Sequence, residues 1–306
     1  MIKVIKFSLR TLRYIKKLKY PLIKRFFGLK QLLRVQFKDY YGYPLNLTQP
    51  NSLSEKIMWI KLHHDLDDLS PYVDKITVRE YVRRTIGEPY LIPCLGIYDS
   101  VNEINFDILP NQFVIKASHG CNWNIIVKDK NICDKEQIKR KFDQWLKTTY
   151  GTETNETCYR PIKGRILIET YLEEDSKSPR DLKFYCCNGE PLGLHVDFDR
   201  FGDATYRCYD TEWREFKKSI PTLPIPPLIP KPSNFDEMLE VCRKLSKGFS
   251  YVRVDLYNCN NQIYFGELTF TPGDGRAPFN PVWLDYFFGE PLDIKSYQPR
   301  YIRAGV

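Results

Sequence analysis

Several absences narrow the reading of this chain before any motif is considered. No CxxC pair occurs among the nine cysteines, and the four histidines do not stand with them at zinc-site spacings. An odd cysteine count without a framework argues against a disulfide scaffold and fits a reducing compartment. No apolar run reaches the roughly 18 residues of a membrane-spanning helix. Nor is the basic N-terminus followed by the compact apolar core and cleavage site of an export signal. Acidic residues are missing from the first 38 positions, which hold twelve Lys and Arg, although the whole chain is only +8. The remainder is therefore net acidic, and the basicity belongs to a tail. A cytoplasmic catalytic body is expected, with the tail on the inner face of a bacterial membrane as an additional expectation.

What is present is globular sequence. Of 306 residues, 42% are apolar and 14% aromatic, with 21 Tyr and 18 Phe, which excludes disorder for most of the length. That length suits two or three lobes. In the tail, Ile5, Leu9, Leu12 and Ile15 or Leu18 share a helical stripe until Pro21 interrupts. Phe26, Phe27, Leu29, Leu32 and Leu33 form a second apolar segment. Basic, amphipathic and aromatic together describe a helix on an anionic lipid surface, or one packed on the body with its charges in water. Nucleic acid is an unlikely partner, because the rest of the chain is acidic and carries no nucleic-acid motif.

Further along, Ser52 or Ser54 can cap a helix carrying Ile57, Met58, Ile60 and Leu62. The segment SPYVDKITVREYVRRTIG reads as one helix through Val73, Ile76, Val78, Tyr81 and Val82, ending at Gly87. Strands are expected at 91–97, 113–116, 125–127 and 165–171, with a helix at 134–150. Residues 182–187 and 192–198 form a hairpin about Asn188-Gly189. Six prolines between 221 and 232 demand an extended surface segment. A helix at 235–247 follows, with Asn234 and Glu237 at capping-box spacing and Gly248 at its end. Without regular βαβ spacing, the pattern is α+β. The expected divisions are a basic segment 1–44 and lobes at 45–110, 111–172 and 173–306.

The segment YVRVDLYNCNNQIYFGELTFTPGDG poses the chemical question. Strand alternation puts Arg253 and Asp255 on one face, and Glu267 and Thr269 on one face of the next strand. An odd-length loop centred on residue 261 would set Asp255 opposite Glu267 and Arg253 opposite Thr269. Opposed carboxylates repel, and hard Mg²⁺ relieves that conflict with oxygen ligands. The plainer alternative is a solvated hairpin face with an Arg253–Glu267 ion pair.

Upstream, FVIKASHGCNWN sets Lys116 at a strand end before a small polar loop containing Ser118, His119 and Gly120. Such a lysine and the loop N–H groups suit phosphate oxygens, although the loop is neither a Walker A nor a GxGxxG sequence. ILIETYLEE offers Glu169 and the Thr170, Tyr171 and Leu172 backbone to a base or ribose. Lys183 in RDLKFY offers a second cation. His195 and Asp197 can line an acceptor pocket, His195 equally being a structural histidine, and Trp213 reads as core.

The ordered segments SLSEKIMWIK, DKITVREYV, FVIKASHG, NIIV, ILIETYLE, RDLKFYCCNGEP, VRVDLY and GELTFTPGDG resemble the ATP-grasp superfamily. They resemble most its TupA-like branch of polysaccharide and teichuronopeptide synthesis, over roughly residues 45–295. The resemblance implies an ATP-grasp fold with a nucleotide held between two α+β lobes. It implies Lys116, and more loosely Lys75, on the ATP phosphates, and Glu169–Leu172 as the adenine-side hinge. Asp255 and Glu267 are the implied magnesium ligands, with Arg253 on the transferring phosphoryl and Lys183 as a further basic partner. Thr269 stands where many relatives carry asparagine, and it offers a hydroxyl in place of the amide oxygen. The implied reaction is carboxylate–amine ligation through an acylphosphate, with Mg²⁺ and ATP. Its acceptor would be a uronic-acid glycan or glutamyl chain, and an amino acid the amine. The alternatives are a glycosyltransferase, for which Asp197-Phe198-Asp199 is the nearest approach to Asp-x-Asp, and a non-catalytic scaffold.

Overall fold

A computed structural model describes residues 9–174, 178–198, 205–216 and 226–301, with backbone alone for 9–18. Ile5, Asp199 and the first prolines of the 221–232 segment lie outside the described residues. Helix α1 (Leu9–Tyr41) runs through Pro21, contrary to the interruption expected there, and breaks at Gly28 instead (φ 79°, ψ 176°). Only glycine adopts that conformation without a Cβ penalty. A straight helix would hold Tyr20 and Asp39 about 28 Å apart. The Tyr20 hydroxyl instead donates to Asp39 Oδ2 at 3.0 Å, so the two arms fold back on one another as a hairpin. In the second arm Leu33 and Phe37 pack with Leu45 and Met58.

Helix α2 (Leu53–His63) carries the expected cap as a full capping box of Ser52 and Glu55. The adjoining residues Ser54 and Lys56 are used elsewhere. Ser54 N and Oγ both donate to Asp285 at 2.9 Å. Lys56 Nζ donates to the carbonyls of Gly289 and Leu292 at 2.8 and 2.7 Å. Asp285 and Gly289 belong to the late helix α7 (Trp283–Gly289), so each helix supplies an end charge to the other. SLSEKIMWIK is thereby explained as an assembly element.

The single helix expected from SPYVDKITVREYVRRTIG is two, α3 (Ser70–Val73) and α4 (Val78–Thr85). The reason is local: Asp74 Oδ1 accepts from Ile76 N at 2.9 Å, and Lys75 N is diverted to the carbonyl of Ser118 at 3.1 Å. The break projects Lys75 toward the 117–124 loop.

Strands β1 (Cys94–Tyr98), β2 (Phe113–Ala117), β3 (Asn124–Val127) and β4 (Ile166–Thr170) form an antiparallel sheet in the order β1-β4-β2-β3. Phe113, Ile115, Ile166 and Ile168 pack beneath Ile138 and Phe142 of α5 (Lys135–Leu146). Strand β1 lies before residue 110 yet pairs with β4 in this sheet.

The second sheet contains β5 (Asp181–Cys187), β6 (Glu190–Phe198), β7 (Thr205–Tyr209), β8 (Tyr251–Cys259) and β9 (Gln262–Thr269), in the order β7-β6-β5-β8-β9. One face is apolar, with Phe184, Val254 and Leu256 in one core with Phe235, Met238 and Leu245 of α6 (Phe235–Ser246). The capping box expected at Asn234 does not form. Its amide instead exchanges hydrogen bonds with Asn258 and reaches the Asn261 carbonyl at 3.0 Å, fixing α6 to the β8–β9 turn. The proline segment, from residue 226, is neither helix nor strand, and Pro226 O accepts from Arg207 Nε at 2.7 Å.

The β8–β9 turn is not the expected odd-length loop. Asn260 and Asn261 have φ of 51° and 62°, a two-residue turn between paired Cys259 and Gln262. Left alone, that register would leave Asp255 out of line with Glu267. A bulge at Gly266 inserts one residue, and beyond it Asp255 pairs with Glu267 and Arg253 with Thr269. The expected partners meet for a different reason. A Cβ at Gly266 would lie 3.0 Å from the Asp255 carbonyl and 3.2 Å from the Tyr257 ring. Gly266→Val is expected to cost about 1–3 kcal/mol in urea unfolding; an unchanged midpoint would refute the crowding.

Candidate active site

Because side chains alternate along strands, one face of the larger sheet collects Asp181, Lys183, Asp197, Arg253 and Asp255 of its central strands. Lys183 pairs with Asp255 across β5–β8 and with His195 across β5–β6, while Tyr185 pairs with Arg253. Arg253 grips Asp255 with two donors, Nε to Oδ1 at 2.7 Å and Nη2 to Oδ2 at 2.6 Å. The same Nη2 reaches Glu267 Oε1 at 3.3 Å and Thr269 Oγ1 at 3.2 Å. Thr269 Oγ1 donates to Glu267 Oε1 at 3.0 Å. Four of the proposed site residues thus form one contiguous group. Burial pushes the Asp255 carboxyl up to about 7, with Glu267 adding to the rise and Arg253 opposing it. Arg253 is the counter-charge that lets two carboxylates share this ground.

Lys183 is held between Asp181, at 2.9 Å, and Asp197. Its ammonium lies above the usual range: burial lowers it, but Asp181, Asp255 and Asp197 together outweigh that penalty. His195 Nδ1 lies 3.0 Å from the Tyr185 hydroxyl and Nε2 lies 3.4 Å from Asp197 Oδ1. His195 and Asp197 therefore border the Lys183 group. Trp213 stacks on Tyr209 at 4.4 Å, in keeping with a packing role.

The smaller sheet supplies a second group. Lys116 Nζ donates to Glu169 Oε2 at 2.5 Å, and Arg79 Nη1 to Glu169 Oε1 at 2.7 Å. Arg79 also donates to the Ile92 carbonyl at 2.9 Å. Lys116 and Glu169 are together, with the Glu169 carboxylate occupied by two cations. Thr170, Tyr171 and Leu172 follow directly as the chain leaves β4, with Thr170 N bonded to the Pro93 carbonyl at 3.0 Å.

The loop after β2 uses its side chains inwardly. Ser118 is buried and its hydroxyl accepts from Arg165 N at 3.2 Å. His119 is buried, with Nε2 3.0 Å from the Trp145 carbonyl and its ring edge-on to Trp123. Gly120 lies so close to the Trp123 ring that a Cβ would collide, and its carbonyl accepts from Lys75 Nζ. What Ser118 and His119 have left to offer a ligand is mainly backbone.

Lys75 feels charges from both groups. Burial pushes the Lys75 ammonium below its usual range; Glu267 opposes this and Lys116 adds to it. Burial raises the Cys121 thiol, as does Glu267, while Lys75 and Arg253 lower it. Glu267 and Arg253 of the larger sheet, and Lys75 of the α3–α4 break, therefore act on Cys121 in the 117–124 loop.

Sequence reasoning missed Arg79, Asp181 and Tyr185. Asp181 carried a signal, standing two residues before Lys183 on the same strand face. Arg79 carried none, because its partner lies 90 residues away. Also missed was a buried group in which Lys61 contacts Asp274, and Thr271 Oγ1 donates to Glu156 Oε1 at 2.6 Å.

The oxygen donors Asp255, Glu267 and Thr269 fit Mg²⁺, a hard cation that is commonly held by one or two carboxylates together with substrate phosphates. Among the described residues, no group of three or more His, Cys, Asp or Glu could hold a metal unaided. Phosphate oxygens and water would complete the shell.

Burial, reinforced by Lys183 and Arg253, drives the His195 imidazole well below its usual range. The unfolded chain takes up that proton near pH 6.5 and the folded chain does not. This contribution to stability is complete above about pH 6.5 and falls as pH drops below it. His195 ring resonances are expected to hold constant from about pH 7.5 to 5.5, while the urea midpoint declines less in His195→Asn than in the parent. A titrating His195 would refute this.

The family described as TupA-like ATPgrasp matches residues 55–293. No curated protein matches the chain. Solved structures that match include a D-alanine–D-alanine ligase from Bacillus anthracis complexed with ATP, at 14% identity and TM-score 0.43, covering 77% of this chain and 66% of that one. Another is the ATP-grasp ligase PsnB complexed with minimal precursor, Mg and ADP, at 13% identity and TM-score 0.40, covering 79% and 67%. A third is N5-carboxyaminoimidazole synthetase from Staphylococcus aureus, at 12% identity and TM-score 0.43, covering 74% and 52%. The chain thus spans about two thirds of the first two and half of the third.

Proposed function

The chain belongs to the TupA-like ATP-grasp family and is an ATP-dependent ligase in broad class; from that premise we propose that it joins a carboxylate to an amine through an acylphosphate. The carboxylate belongs to a uronic-acid unit or glutamyl chain of a cell-surface polysaccharide or its precursor, and the amine to an amino acid. The observation that carries the reading is the Arg253–Asp255–Glu267–Thr269 group, made contiguous by the Gly266 bulge. Lys116 belongs to the smaller sheet, and Lys75, at the break between α3 and α4, feels the charges of both Lys116 and Glu267.

In this reading Asp255 and Glu267, with Thr269, would hold Mg²⁺, which would supply charge neutralisation to phosphate oxygens of the nucleotide. Lys116 and Lys75 bind phosphate oxygens, and the backbone of Ser118, His119 and Gly120 closes over them. Lys116 has an alternative partner in Glu169, which keeps the ammonium in place before nucleotide arrives. Glu169, Thr170, Tyr171 and Leu172 receive the base and ribose. A substrate carboxylate oxygen attacks the γ-phosphorus and ADP leaves; the amine then attacks the acyl carbon, phosphate leaves and a proton is lost. Negative charge gathers on the transferring phosphoryl, and Arg253 and Lys183 supply fixed cations there. His195 and Asp197 border the acceptor side. We divide the chain into a basic segment 1–44 and lobes at 45–110, 111–172 and 173–306, the first lobe lending β1 to the sheet of the second. We place the enzyme in the cytoplasm, with residues 1–38 toward an anionic membrane.

Phosphate release from Mg-ATP, measured across uronic-acid glycans, glutamyl peptides and amino acids with mass detection of the amide, tests the proposal. Glu267→Gln is expected to lower acceptor-dependent turnover by about 10²–10³, with the melting temperature retained. Lys116→Ala is expected to raise the KM for ATP. Acceptor-independent release only, or an unimpaired Glu267→Gln, would overturn the assignment.

A further inference from the structure

The bend at Gly28 has a consequence for the surface of the molecule. It turns residues 25–30 into the tip of the α1 hairpin, where Phe26 and Phe27 stand side by side, 69% and 71% exposed. Leu22, one turn before Phe26, is 55% exposed. Arg25, Lys30 and Arg34 are exposed around this tip, and Arg25 lies 5.8 Å above the Phe26 ring. No acidic residue occurs before Asp39. The described helices include none long and apolar enough to cross a membrane.

The hairpin is mounted on the body through both arms. From the first, Lys24 Nζ reaches the Thr152 carbonyl at 3.3 Å and Asn155 Oδ1 at 3.4 Å. From the second, Gln36 Nε2 reaches the Glu153 carbonyl at 3.5 Å, and Arg276 lies 5.2 Å above the Tyr40 ring. Both receiving loops border the candidate site: Glu156 accepts from Thr271, and residues 271–276 continue from the strand carrying Glu267 and Thr269.

We propose that Phe26 and Phe27 insert into the interfacial region of an anionic bilayer. The surrounding Lys and Arg bind its headgroups, and the hairpin holds the loop after β9 near that surface. The charge decides the occupant, because an apolar tip flanked by exposed Arg25, Lys30 and Arg34, with no acidic residue in the chain before Asp39, complements anionic lipid. This deepens the reading of residues 1–38 as membrane-facing, since it names the inserting element. It implies an acceptor presented at the membrane surface.

Cosedimentation of the full chain, without nucleotide, with vesicles of phosphatidylcholine containing about 30% phosphatidylglycerol tests it. Binding is expected to anionic vesicles and not to phosphatidylcholine alone. The double variant Phe26→Ala/Phe27→Ala is expected to lower the partition coefficient by about tenfold with an unchanged melting temperature. Phe27→Trp should shift its emission to the blue on anionic vesicles only. Binding that survives loss of both phenylalanines overturns insertion and leaves only a basic-tail attraction. No vesicle binding by the parent chain overturns both. Self-association that needs the phenylalanines, without vesicle binding, assigns the tip to a second copy and overturns the proposal. Ligase activity on a soluble acceptor is measured separately and is untouched by any of these outcomes.

Discussion

Two carboxylates, Asp255 and Glu267, are brought opposite one another on neighbouring strands, and much of the site follows from how that repulsion is contained. Arg253, two residues before Asp255, bonds Asp255 through two donors and reaches Glu267 and Thr269 with one of them. Lys183 stands opposite Asp255 on the other side, itself bracketed by Asp181 and Asp197. The result is an alternating lattice of charge across four strands. Removing any one cation would leave a buried carboxylate uncompensated, which is the more costly failure of such networks.

That lattice occupies one face because the other is committed to α6. Phe184, Val254 and Leu256 fill the core beneath, so the side-chain period of two leaves the alternate positions for chemistry. The bulge at Gly266 is the one irregularity between Asp255 and the turn, and it decides which residues of β9 face Asp255 and Arg253. Gly266 suits this place because its neighbour's carbonyl occupies the space a side chain would need.

Elsewhere the segments that carry the family resemblance divide by physical task. SLSEKIMWIK builds reciprocal contacts between α2 and α7 and touches no reacting group. DKITVREYV breaks its helix so that Lys75 meets the 117–124 loop. FVIKASHG spends Ser118 and His119 on packing and pairs the half-buried Lys116 with Glu169.

Alternation and turn chemistry made much of this legible in the sequence. Strands β2 to β6, β8 and β9, the Asn188-Gly189 turn, the Ser52 cap and the shared face of Arg253 and Asp255 all follow from patterns a few residues long. The bulge did not, because a single glycine in a strand signals either a bulge or a close approach, and only the neighbouring strand distinguishes them. The hairpin in α1 was equally hidden: Pro21 is the stronger local breaker, and Gly28 prevails because Tyr20 and Asp39 meet across the fold. Arg79 could not be found by spacing, since its partner Glu169 comes from a distant strand. Local chemistry thus determined the elements and the residue types of the site. Register, bends and the pairing of buried charges were decided only by tertiary structure, because each is set by what lies across from a residue rather than beside it.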